Sequence, residues 1–288
     1  MQMKTAVITT GGLGTRLLTY TKTNPKTMLP LYEKSKDESQ EPVLRPLIEI
    51  IFENLYDKKI RRFCFIVGAK TKRSIIEHLT PDQGYIELLK RRNMPADRRF
   101  IKTLTRVYKK MEKCEIDWIS QSTPMGFGHA LLSAKNFVGK ETFLLHAGDA
   151  YFPNYDFFDD LIKAHKFYKK NAATLLLQRK KILKGYGIAQ MQNHNGKNLI
   201  IDVEEKPKKP KSNLAILPLY IFEPKIFDAL KNTSKGHSDE LQVTDAIKTL
   251  IKSKESVIGF NYGTKRWYDI GSPDNYFKSL SYSYNKSK

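Results

Sequence analysis

The first residues equipped for chemistry are Gly11-Gly12-Leu13-Gly14-Thr15-Arg16, followed by Pro25-Lys26-Thr27-Met28-Leu29-Pro30. A glycine turn after a strand lets backbone N–H groups approach phosphate oxygens closely, because no Cβ intervenes. Arg16 adds a planar fork for phosphate oxygens and Lys26 a point charge, a combination suited to a triphosphate. The run lacks the GxxxxGK pattern of a P-loop, and Leu17 stands where a dinucleotide fingerprint needs its third glycine. Glycines alone would be a tight turn; the two cations beside them argue for an anion site.

Such a turn needs a scaffold. Lys4–Thr10 reads as a strand, and Pro46–Tyr56 carries Leu47, Ile50, Ile51 and Leu55 at helical spacing. Arg62–Val67, Thr142–His146 and Thr174–Gln178 read as further strands, with a helix over Asp159–Lys169. This alternation predicts an α/β fold, a doubly wound and mainly parallel sheet with ligands beyond the carboxyl ends of its strands. From about Gly185 the strands shorten: Gly187–Met191, Leu199–Glu204 and Leu214–Phe222 predict a small antiparallel extension that holds a second substrate. Helices are expected over Pro224–Leu230 and Leu241–Lys252, and a polar surface loop over Glu33–Pro42. Nothing repeats internally, so one domain over 1–288 is expected, with a helical insertion at about 80–115.

Beyond the glycine turn, the chain carries Gln121 with Gly126-Phe127-Gly128-His129-Ala130, then Ala147-Gly148-Asp149 and Glu205-Lys206-Pro207. Ser212-Asn213-Leu214-Ala215-Ile216, Glu240-Leu241-Gln242-Val243-Thr244-Asp245-Ala246 and Tyr268-Asp269-Ile270-Gly271 follow. In this order, over roughly residues 5–280, the chain resembles the sugar-1-phosphate nucleotidyltransferases. The resemblance implies a Rossmann-like domain with a mixed, mainly parallel sheet and Mg²⁺-dependent chemistry. It places the metal on Asp149 and Asp269 and gives Arg16 and Lys26 the catalytic charges. Gly11, Gly12, Gly14, Gln121 and Gly126 match nucleotide-binding positions; Gly187, Glu205, Lys206 and Asn213 match the sugar-phosphate pocket, within a part running from about 185 to 280.

Simple chemistry agrees with these assignments. Mg²⁺ favours one or two carboxylates with phosphates and water, and a glutamine amide both donates and accepts at a uracil or thymine edge. Taken singly, Asp149 and Asp269 would read as turn aspartates. His129 is assigned a structural role, since an anionic sugar phosphate needs no general base. The GFGHA run and the insertion containing Tyr85–Leu89 look like the family members that use UTP and glucose 1-phosphate. The alternatives are dTTP or CTP as donor, another sugar phosphate as acceptor, or a non-catalytic homologue that binds nucleotide sugars. Two departures stand out: Ala150, where relatives often carry a second acid, and Leu217-Pro218, where relatives have a residue followed by glycine. A homo-oligomer, dimer or tetramer, is expected.

The net charge of +20, from 50 Lys and Arg against 30 Asp and Glu, is spread along the chain. Its densest stretch, Lys90 to Lys113, alternates with Ile101, Leu104, Val107 and Met111 at helical spacing, as on the solvated face of an amphipathic helix. No dedicated nucleic-acid partner is therefore expected. No apolar run reaches the roughly 18–20 residues of a membrane span, and the strand pattern starting at Lys4 leaves no signal segment, so no membrane partner is expected. Two cysteines, Cys64 and Cys114, fit a reducing cytoplasm. Binding to duplex DNA or RNA, followed by electrophoretic mobility across a salt series, should be weak, sequence-blind and lost by about 0.2 M salt. Submicromolar, sequence-selective binding at that salt would overturn this view of the charge.

Overall fold

The computed structural model describes residues 3–288 except 13, 36–40, 169 and 195. Its strands are β1 (Thr5–Thr9), β2 (Pro30–Lys34), β3 (Pro42–Pro46), β4 (Arg62–Gly68), β5 (Glu115–Gln121), β6 (Phe143–Ala147) and β7 (Ala150–Tyr151). After these come β8 (Asn171–Arg179), β9 (Gly187–His194), β10 (Lys197–Glu205), β11 (Leu214–Phe222), β12 (Ser256–Asn261) and β13 (Tyr268–Asp269). Nine of them form one sheet in the order β5-β4-β1-β6-β11-β8-β12-β10-β9. β1 pairs in parallel with β4 and β6, and β4 with β5. β11 runs antiparallel to both β6 and β8. The mainly parallel sheet expected from the sequence is thus a parallel run interrupted by two reversed strands, β11 and β10. β9 and β10, expected to be shorter strands, run over 8 and 9 residues and prolong this same sheet.

The apolar runs explain which strands are central. β1, β4 and β6 are buried on both faces, so their side chains alternate between two cores. Ala6, Ile8, Phe63, Phe65 and Leu144 serve one core, where the helix Leu47–Asp57 sets Phe52 4.8 Å from the Phe63 ring. Val7, Cys64, Ile66 and Leu145 serve the other, under the helices Phe127–Ser133 and Val243–Lys252. The chain runs from β1 to β4 to β5 on one side and then returns to β6 on the other side of β1. That reversal opens a crevice at the carboxyl end of β1, directly at the glycine turn.

Several elements depart from the sequence reading. β5 is a strand with no apolar run to mark it, because it lies at the sheet edge with Glu115 and Asp117 exposed. A further helix, Pro273–Ser287, docks on β2: Tyr276 OH donates to the Pro30 carbonyl at 2.9 Å and Ser283 Oγ accepts from the Tyr32 N–H at 3.1 Å. Glu33 and Pro42, expected in a loop, belong to the paired strands β2 and β3, while 36–40 lie outside the described residues. The insertion at about 80–115 consists of the helices Gln83–Arg92 and Pro95–Met111.

A buried charge network ties this insertion to the sheet layer. Arg45 of β3 lies 2.6 Å from both Glu49 and Glu53, and all three are nearly inaccessible. Arg106 and Lys110 of the insertion reach Glu53 at 3.1 and 2.8 Å, and His78 reaches Glu49 at 2.8 Å. Burial alone would raise the Glu53 pKa, but Arg45 and Lys110 outweigh it and hold the carboxyl at about 2. A carboxylate so depressed stabilises the fold fully above the ordinary value of 4.5 and loses that contribution as pH falls towards 2. Glu53→Gln should therefore cost about 3 kcal/mol at pH 7, because it leaves buried cations unmatched. Urea unfolding of both proteins should show the gap shrinking between pH 4.5 and 3; a gap independent of pH would contradict the network's role.

Candidate active site

Two chain segments 120 residues apart meet in a short ribbon. β7 pairs antiparallel with β13, setting Asp269 opposite Ala150, and the Ile270 N–H donates to the Asp149 carbonyl at 3.0 Å. The ribbon brings both aspartates into the lining of a cavity of about 540 Å³. Asp149 pairs with Lys26, and Asp269 faces Arg16 at 3.5 Å while accepting the Gly271 N–H at 2.8 Å. The Asp149 side chain resists ionisation through burial, yet Lys26 more than offsets this and holds its pKa low. Asp269 is pushed up, first by burial and then by the charge of Asp149. The pair is an acidic, oxygen-only donor set still partly uncompensated by the nearby cations, a composition that fits a hard divalent cation.

The glycine turn sits beside this cluster. Gly14 has φ +65°, which lets the chain reverse into the 3₁₀ turn Thr15–Leu17 that carries Arg16. Arg16 is 60% exposed and free to reach an incoming anion, whereas Lys26 is only 14% exposed and already anchored. Gly11, Gly12 and Gly14 all line the cavity; Leu13 lies outside the described residues. Gly271 is fitted between the charges: a Cβ there would come 2.7 Å from Asp269 Oδ1 and 2.8 Å from Arg16 Nη2. No side chain fits that gap without parting the ion pair.

Residues from two other regions also line the cavity. Gln121, at the end of β5, and Gly126, at the start of the helix Phe127–Ser133, come from one. Gly187, Glu205 and Lys206 come from the other, with Tyr186, Ile216 and Pro218. Glu205 accepts a hydrogen bond from Thr244 Oγ1 at 2.7 Å and lies 3.3 Å from Lys206. Pro218 falls where β11 and β8 slip in register, between Ile216 and Tyr220, so its missing N–H breaks no ladder bond. Asn213 stands apart: it is exposed, is absent from the cavity lining and accepts from Arg179 at 2.9 Å.

Two side chains matter more than their sequence context revealed. Thr244 orients Glu205 from a different helix. His129 contacts Gln121 at 3.0 Å, a pairing that only the fold discloses. The Glu240–Ala246 and Gly126–Ala130 runs marked both neighbourhoods without revealing either partner. Trp267 packs beside the site: it is 9% exposed, lies near-parallel to Phe152 and donates to Gln178 at 3.2 Å.

A glycine turn flanked by two cations and a carboxylate pair, at the switch point of an α/β sheet, is the arrangement expected of a nucleotide-handling protein. The chain belongs to the nucleotidyl transferase family, whose pattern matches residues 5–285. It is 31% identical over 284 residues to the UTP–glucose-1-phosphate uridylyltransferase of Bacillus subtilis, covering 94% of this chain and 87% of that one. To the enzyme of the same name from Mycoplasma pneumoniae it is 30% identical over 288 residues, covering 98% and 92%. Its fold matches that of a UDP-glucose pyrophosphorylase crystallised with UDP-glucose, with a TM-score of 0.80 and 24% identity over 99% of each chain.

Gly271→Ala should separate Arg16 from Asp269 and lower catalytic efficiency at least about tenfold, near 1.4 kcal/mol in the barrier, with an unchanged circular dichroism spectrum. Wild-type kinetics in the folded variant would show that the close approach is immaterial.

Proposed function

We propose that this chain transfers a uridylyl group from UTP to glucose 1-phosphate with Mg²⁺, giving UDP-glucose and pyrophosphate. The observation that carries the reading is the β7–β13 ribbon, which gathers Asp149, Asp269, Lys26 and Arg16 midway along one cavity. On one side the glycine turn and Gln121 suit a nucleoside triphosphate; on the other Glu205 and Lys206 suit a sugar phosphate. The names of the Bacillus and Mycoplasma relatives support this choice of substrates.

The reaction is an in-line displacement: an oxygen of the sugar phosphate forms a bond to the α-phosphorus as the bond to pyrophosphate breaks. The attacking phosphate is already anionic, so the site supplies alignment and charge neutralisation. Lys26 and Arg16 offset charge on the α-phosphoryl and pyrophosphate groups, Arg16 through its bidentate fork. The Glu205 carboxylate, held by Thr244, grips sugar hydroxyls while the adjacent Lys206 meets the sugar phosphate. Gln121 faces the base, and the Gly11–Gly14 turn offers backbone N–H groups to the phosphates. Asp149 and Asp269 would hold Mg²⁺, which would supply positive charge to offset that of the phosphates. A cytoplasmic setting suits Cys64 and Cys114, whose thiols burial keeps protonated with pKa values of about 12 and 11. The same reading includes a homo-oligomer, dimer or tetramer, which sedimentation analysis would test.

A pyrophosphate-release assay over a matrix of nucleotides and sugar 1-phosphates tests the proposal directly. UTP with glucose 1-phosphate should give the highest catalytic efficiency, and dTTP an equal one would defeat the donor assignment. Asp149→Asn and Asp269→Asn should each reduce turnover at least about a hundredfold, near 2.7 kcal/mol, while the fold persists. Near-normal turnover in either variant would remove that residue from the metal site.

A further inference from the structure

The amide of Gln121 is held in one orientation by two acceptors on the same helix turn. Its Nε2 donates to His129 Nδ1 at 3.0 Å and, more distantly, to the Gly126 carbonyl at 3.4 Å. The Gly126 carbonyl is an obligate acceptor that also receives the Ala130 N–H at 3.1 Å, so it requires the amino end of the glutamine to face it. With both amide hydrogens turned to this side, His129 must present a bare Nδ1 and carry its proton on Nε2. Gln121 Oε1 then projects the other way, towards Gly11, where a Cβ would come within 2.8 Å of it. Among the described residues no protein donor meets that oxygen, and it borders the cavity.

We infer that His129 is the residue that selects uracil over cytosine, by fixing the Gln121 carbonyl as the group offered to the base. This rests on the reading that Gln121 faces the base. Uracil presents an N3–H donor, which Oε1 accepts. Cytosine presents N3 as an acceptor, which opposes Oε1 and would pair only with a flipped amide. A free glutamine could rotate and serve either base; one anchored through Nε2 cannot turn without abandoning two hydrogen bonds. The weaker 3.4 Å contact to Gly126 leaves most of this anchoring to His129. His129 acts through Gln121 and is a positioning residue.

Catalytic efficiencies for UTP and CTP, with glucose 1-phosphate as acceptor, test this in four proteins: wild type, His129→Leu, His129→Asn and Gln121→Leu. His129→Leu removes the acceptor at similar bulk. Its UTP-over-CTP ratio should fall at least about tenfold, chiefly through a higher KM for UTP. His129→Asn restores an acceptor oxygen and should recover most of the ratio, which a loss of packing alone would not predict. An unchanged ratio in folded His129→Leu, alongside a collapsed ratio in Gln121→Leu, would overturn the role of His129 while sparing the base reading. An unchanged ratio in Gln121→Leu would overturn the base reading and this inference with it. Should His129→Leu fail to fold, ¹⁵N NMR of the wild-type histidines decides: a proton on His129 Nε2 is expected, and a proton on Nδ1 overturns the inference.

Discussion

Two carboxylates held close together at a half-buried site repel each other, and the rest of the catalytic cleft can be understood as an answer to that repulsion. Asp269 lies in one strand of a two-residue ribbon and Asp149 immediately precedes the other, so their proximity is built into backbone hydrogen bonds. Lys26 compensates one of them closely and Arg16 the other more loosely, leaving Asp269 with a raised pKa. Such an arrangement favours further positive charge beside the acids.

The fold accounts for why those side chains can be held so closely. β1 and β6 are central, buried on both faces and paired in register, which fixes where the glycine turn and Ala147-Gly148-Asp149 emerge. His146, fully buried at the end of β6, is kept neutral by desolvation, with a pKa of about 4, and bonds to the Ala147 carbonyl and Tyr155 at 2.7 Å each. That anchors the strand end just ahead of Asp149. On the outer layer, the Arg45–Glu49–Glu53 network joins β3, the helix after it and the inserted helix Pro95–Met111 through charge, beside the apolar packing of Val107 and Met111. Buried networks of this kind constrain geometry strongly, because any displaced member is left unsatisfied.

Away from the charged cluster the cavity lining is organised differently. Glu205 takes its orientation from Thr244 on another helix, and Pro218 fills a slip between strands. Gln121 is oriented by the turn of helix that carries both its partners. In both places a cavity-lining side chain is set by a neighbour distant in sequence or hidden within a motif.

The sequence by itself determined the order and type of the central elements, because apolar runs of strand length and helical spacing are local signals. It also determined the glycine turn with Arg16 and Lys26, whose chemistry follows from residue type over a short span. Leu214–Phe222 was legible to the residue, being apolar throughout; β5 was not, because a charged edge strand carries no such run. Only the tertiary structure decided that β11 runs against its neighbours and that Asn213 faces away from the cavity while Gly187 faces into it. Only it joined Asp149 to Asp269, Thr244 to Glu205 and the Arg45 network to Lys110. The physical reason is common to all of these: strand pairing and ion pairing depend on distances through space, and periodicity along a chain carries no record of which distant segments will meet.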